Sequence, residues 1–213
     1  MEKKDLLKDV IKHIDIKSYN STELIDAMRN MSFTSRDTAR AADILMMMCK
    51  EKECTNILTL AGSTSAAGCM QVYVDMVRNK MIDVVVATGA SIIDMDLFEA
   101  LGFKHYIGEK ENVIADTTLR DLYIDRIYDT YIDEEELQAC DHTTFEIANM
   151  LEARPYSSRE FIYEIGKWLH DGHAVKKDSL IQTCYECGVP IFVPAFSDSS
   201  AGFGIGKHQW ERM

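Results

Sequence analysis

Three short runs in this sequence are apolar almost throughout, and each stops at a turn of small, hydroxyl-bearing residues. They are TNILTLA (55–61), IDVVVAT (82–88) and VPIFVPAF (189–196). A strand with one wet face alternates apolar and polar side chains, whereas near-continuous apolar runs indicate parallel strands covered on both faces. Segments with helical spacing lie between the runs. Strand and helix in alternation predict an α/β architecture with a parallel sheet flanked by helices. The turns that follow are GSTSAAG (62–68), then Thr88-Gly89-Ala90-Ser91 with Asp94 and Asp96 just beyond, then SDSSAG (197–202). In open sheets of this kind, ligands bind outside the carboxyl ends of the strands.

The rest of the chain reads mainly as helix. Residues 1–17 look amphipathic, with charges of both signs, and lack the apolar core of a secretion signal. Asn20 to Glu23 has capping-box spacing, and a long helix is expected from Ser35, with Met46–Met48 as core filler. Further helices are expected over 69–80, 95–102, 132–151, 156–172 and 178–188. Residues 103–130 show no clean period and read as an excursion of short elements. The expected organisation is a helical N-terminal segment, 1–54, and a partial cofactor-binding-type α/β domain, 55–213. Three strands make a thin sheet and little chain follows the third turn, so the chain reads as either a fragment or a shortened member of a larger fold; in the first case the natural reading frame is expected to continue past Met213.

A net charge of −12 disfavours a nucleic-acid partner and favours cationic ligands. No apolar run is long enough to span a bilayer, so no membrane association is expected. The six cysteines are scattered through regular elements, which points to reduced thiols and a cytoplasmic protein. Cys184 and Cys187 form a CxxC late in a helix. With no second ligand pair they read as buried free thiols, and no metal site is expected. His105, His142, His170, His173 and His208 do not form a metal spacing.

Each turn could be plain punctuation between strand and helix, and Asp94 and Asp198 could cap the helices that follow them. Three such turns, each after an apolar strand, favour a nucleotide-sized ligand. If Asp94, Asp96 and Asp198 converge, they suit an ammonium or polyamine.

At these same turns the sequence resembles the deoxyhypusine synthase family, in its bacterial and archaeal branch. MIDVVVATGASIIDMDLFEALG (81–102), ILTLAGSTSAAG (57–68) and DSLIQTCYECGVPIFVPAFSDSSAG (178–202) are similar, in order and spacing, to that family's cofactor-side segments. The resemblance implies a Rossmann-like fold, bound NAD and a homotetramer with shared active sites. It implies aminobutyl transfer from spermidine to an acceptor amine, which is a translation-factor lysine or, in homospermidine synthases, putrescine. By position, Ser63, Ser65, Thr88, Gly89 and Asp198 would meet NAD, and Asp94 and Asp96 the amine substrate. Ser63 stands where the family has Asn, and its adjacent acidic pair is split here. The family's imine-forming lysine lies in a C-terminal half not represented in this sequence. Lys167 and Lys207 are not assigned that role. A non-catalytic subunit that binds polyamine or NAD is therefore the alternative.

Overall fold

The computed structural model describes residues 1–110 and 113–212. In chain order its helices are α1 (Lys3–Leu6), α2 (Thr22–Met28) and α3 (Phe33–Lys50), followed by strand β1 (Ile57–Leu60). Then come α4 (Met70–Arg78), β2 (Val84–Ala87), α5 (Phe98–Ala100), β3 (His105–Ile107), α6 (Asp116–Asp121), β4 (Ile124–Ile127) and β5 (Thr130–Asp133). The last elements are α7 (Glu134–Met150), α8 (Ser158–Trp168), α9 (Leu180–Cys187), β6 (Ile191–Phe192) and α10 (Ala201–Glu211). Wide, π-helical turns join β1 to α4 (Ser65–Cys69) and β2 to α5 (Ala90–Leu97).

The expected parallel sheet is present, in the order β1-β2-β6. Leu58 pairs with Val85 and Leu60 with Ala87, while Val85 also pairs with Ile191. Leu60, Val85, Ala87 and Ile191 are buried in one core with residues of α4, α7, α8 and α9. The other face corrects the expectation of cover on both sides. Ile57 and Phe192 are exposed there, and Val84 and Val86 only half-buried. Unbroken apolar composition therefore did not guarantee two-sided burial.

Local chemistry explains the helix ends. Asp133 accepts hydrogen bonds from the Glu135 and Glu136 amides, and the acidic first turn of α7 suits the helix dipole. Ser157 and Glu160 form a reciprocal capping box at α8. Ser179 caps α9, which ends at Gly188 in the left-handed region (φ +71°). The capping box expected at Asn20–Glu23 is not formed. Asn20 Oδ1 instead accepts from the Thr22 amide, a local turn bond.

Three segments depart from the sequence reading. Residues 1–17 are helical only over Lys3–Leu6 and Ile16–Ser18. The stretch between is an extended strap, with Val10 bridged to Tyr106 of β3. The excursion at 103–130 belongs to a second, antiparallel sheet, β3-β5-β4. The segment after the third turn forms α10, which packs along α7.

That packing depends on Gly204. A Cβ at this position would lie 2.4 Å from the Asp141 carbonyl oxygen on α7. Gly204→Ala is expected to cost about 1–3 kcal/mol by forcing the helices apart; urea denaturation would measure it, and a neutral result would mean the crossing is looser than this.

Candidate functional site

The ends of β1, β2 and β6 carry the residues singled out from sequence, and hydrogen bonds join their turns into one unit. Ser65 is buried after β1. Its hydroxyl reaches the Ser91 carbonyl (3.4 Å) and the Met95 sulfur (3.2 Å) in the turn after β2. Ser65 thus faces the neighbouring turn. Gly89 is buried against the third turn, where a Cβ would stand 2.7 Å from Ser199 Oγ. Its small size serves the approach of two backbone segments. Thr88 Oγ1 lies 2.9 Å from Ser91 Oγ and accepts from the Ser91 amide.

Ser63, Thr88 and Asp198 stay toward the outside of this edge, Ser63 half-buried and the other two exposed. Gly62 and Ser63 are successive left-handed residues (φ +78° and +62°), and nothing stands within 4 Å of where a Gly62 Cβ would be. An open backbone, two hydroxyls and a carboxylate are the donors and acceptors that a dinucleotide's phosphates and ribose require. The residues present therefore fit NAD.

The two aspartates beyond β2 separate. Asp96 is 1% exposed, and its two oxygens accept from the amides of Leu180 (2.8 Å) and Ile181 (2.7 Å). It caps α9 from a distant part of the chain. Burial pushes its pKa up to about 6 against the pull of those two bonds. Asp94 turns toward α10. Its carboxylate accepts from the Ser200 amide (3.2 Å) and lies 2.9 Å from the Ser200 hydroxyl. It is half-buried, and burial raises its pKa too. The three aspartates thus do not converge: Asp198 remains exposed and apart from this arrangement.

Sequence reasoning missed Asp141. On α7 it reads as one more polar residue, yet its Oδ1 lies 2.6 Å from Ser200 Oγ. Burial, aided by the charge of Asp94, lifts it to about 6. Asp141 and Ser200 line an open cleft of about 520 Å³ that also presents Asp125, Glu134 and Phe145. The Lys207 ammonium reaches into this wall and sits 4.6 Å from the centre of the Phe145 ring. An alkylammonium is thus already accommodated against an aromatic face in an acidic cleft.

A second cluster was also invisible in the sequence. Glu99 accepts from His13 Nε2 (2.6 Å), from His105 Nδ1 (2.8 Å) and from the Lys176 ammonium. Burial would raise its pKa, but the bonds from His105 and His13 and the charge of Lys176 hold it well below the usual range. His13 Nδ1 in turn accepts from the Met70 amide, so the strap is pinned beside the first turn. The CxxC pair splits: Cys184 is buried, and burial raises its thiol far above the ordinary range, while Cys187 is exposed.

Comparison with known proteins agrees with the fold. The deoxyhypusine synthase family model matches residues 23–213. A "Deoxyhypusine synthase-like protein" of Caulobacter vibrioides is 66% identical over 212 residues, covering 100% of this chain and 57% of that protein. Its namesake in Coxiella burnetii is 60% identical over 207 residues, covering 97% and 58%. A Methanosarcina acetivorans protein named "Probable deoxyhypusine synthase 2" is 39% identical over 192 residues, covering 90% and 54%. A solved Entamoeba histolytica structure carrying the deoxyhypusine synthase name superposes with a TM-score of 0.63 at 20% identity, covering 92% of this chain and 66% of that one. It shares the fold. The chain spans a little over half the length of the curated relatives it matches. With the family model over nearly all its residues and a two-thirds-identical relative along its whole length, this chain belongs to the deoxyhypusine synthase family.

Proposed function

We propose that this chain forms the cofactor-side part of an enzyme that moves an aminobutyl group from spermidine to an acceptor amine with the help of NAD. One observation carries the reading. The acidic cleft with the Lys207 ammonium over Phe145 shares Ser200 with the strand-end arrangement, because the Ser200 hydroxyl also bonds to Asp94 beyond β2. A polyamine held there would lie beside Ser200, whose other partner belongs to the turn after β2.

NAD, when bound, supplies a hydride acceptor for the carbon beside the secondary amine. The rest of the proposal concerns this chain's own groups. The Ser63 and Thr88 hydroxyls and the Asp198 carboxylate bind and orient the cofactor. The Asp94 carboxylate attracts the ammonium groups of the amine, and Phe145 offers them an aromatic wall. Asp96 acts indirectly, fixing α9 against the π-helical turn that carries Asp94. Among the described residues no helix is long and apolar enough to cross a membrane. Leu24, Met31, Phe33, Ile44, Met46 and Met47 are exposed on the α2–α3 arm. Their exposure supports a homo-oligomer in which the arm is covered.

The test is calorimetric titration of the chain with NAD and with spermidine, alongside absorbance for spermidine-dependent NADH formation. Both ligands are expected to bind. Asp94→Asn is expected to weaken spermidine about tenfold, the equivalent of one lost charge-assisted bond. Absence of binding by both ligands sinks the reading.

A further inference from the structure

Ser200 Oγ stands 2.9 Å from Asp94 Oδ1 and 2.6 Å from Asp141 Oδ1. Both are hydrogen-bond distances, and each such contact needs a hydrogen between its oxygens. A serine hydroxyl carries one, and an ionised carboxylate carries none. With both aspartates ionised, one contact would set two oxygen lone pairs against each other. The second hydrogen must come from a carboxylic acid.

The surroundings decide which one. Asp94 also accepts from the Ser200 amide, a bond that favours its ionised form. The recorded partner of Asp141 is the Ser200 hydroxyl. We infer that Asp141 is held as a neutral acid that donates to Ser200 Oγ while Ser200 donates to ionised Asp94, a proton relay that locks α7 and α10 to the turn after β2 and opens when Asp141 ionises.

The groups around the relay agree with this order. Asp125 of β4 and Glu134 of α7 line the same cleft and disfavour a further negative charge, whereas Lys207 of α10 and, when protonated, His142 of α7 oppose them. Cys140 lies behind Asp141 with its thiol directed to the Ile93 carbonyl. Burial keeps that thiol protonated, so it adds no charge. The raised pKa of Asp141 has the same sense.

The sign of the pH effect follows. A carboxyl raised to about 6 holds its proton more tightly in the folded chain than in the unfolded one. Its contribution is full below the unfolded value near 4, declines as pH rises to about 6, and is flat above. Asp96 titrates in the same window and sense, so a difference between variants is needed to isolate Asp141.

Asp141→Asn supplies that difference, because an amide can donate to Ser200 Oγ at every pH. Its Tm should match wild type at or below about pH 4 and exceed it near pH 8, by on the order of 4 °C. Equal destabilisation at both pH values overturns the relay. Infrared difference spectra near pH 5 give a second reading: wild type minus Asp141→Asn should show a protonated-carboxyl stretch, the Asp96 band being common to both, and a difference spectrum without it overturns the relay as well. If Asp141→Asn fails to fold, the infrared titration of Ser200→Ala decides, since removing the shared hydroxyl must move the Asp141 titration and an unmoved curve is fatal. Neither NAD nor spermidine enters these measurements, so their outcome is independent of the proposed activity.

Discussion

Replacing Asp96 with Ala should destabilise the chain by about 2–6 kcal/mol, from two buried amides each costing about 1–3 kcal/mol when orphaned. The Leu180 and Ile181 amides at the start of α9 both bond to this carboxylate, and both residues are buried, so water cannot take its place. The lost side chain also leaves a void beside the core. Asp96→Asn should cost less, because its amide keeps one acceptor oxygen, although its NH₂ then faces a backbone donor. Urea denaturation near pH 8, above the raised titration of Asp96, compares the variants with the carboxylate ionised. A loss below about 0.5 kcal/mol would mean that α9 finds another cap.

The second large effect should come from Glu99. Glu99→Ala leaves the Lys176 ammonium, His13 and His105 without the carboxylate that all three share, in a site where Glu99 and both imidazoles are largely buried. Breaking a buried ionic cluster from one side costs about 3–5 kcal/mol. The pH dependence runs opposite to that of Asp96. Glu99 is held well below its ordinary value, so its contribution is present above the unfolded value near 4.5 and fades as pH falls toward the folded one. Wild type should therefore lose stability on acidification below about 4.5, and Glu99→Gln should lose less over that range. Protease cleavage within residues 1–17 should also speed up in the variants, because His13 binds the strap to Glu99. Unchanged cleavage would show that the strap is held by its backbone bonds alone.

These two carboxylates mark the limit of what the sequence could reveal. The strands β1, β2 and β6 were legible because Leu58, Leu60, Val85, Ala87 and Ile191 stand in apolar runs bounded by turn residues. The long helices were legible through their spacing, and α7 also through its acidic first turn. Asp96 was visible as a residue of interest, but its partner amides lie more than eighty positions away. No local rule links them. Glu99, His13, His105 and Lys176 come from four segments, and only the folded chain makes them neighbours. Asp141 sits among polar helical residues, and its burial is decided by α10 packing across Gly204.

The misreadings have physical causes. Residues 1–17 carry apolar positions at spacings a helix could use, yet the backbone finds better partners. Ile11 donates to the His105 carbonyl, Ile107 to Asp9, and Ile14 to Gly68. Tertiary pairing there outweighs local propensity. The small sheet escaped notice because its strands are three or four residues long and mix tyrosine with charge. Strands that short give too few alternations to count.

The strap also has a meaning in time. Val10 pairs with Tyr106, and His13 with Glu99, so the strap waits at the ribosome for partners made later. Closing so long a loop is slow, because its entropy must be lost before any contact rewards it. The bonds to the turn after β1 close a shorter loop: Gly68 accepts from Ile14 and Met70 donates to His13, partners all made before β2. β6 and the helices α7, α8 and α9 follow later still, so the first candidate ligand loop can be buttressed before the parallel core is complete.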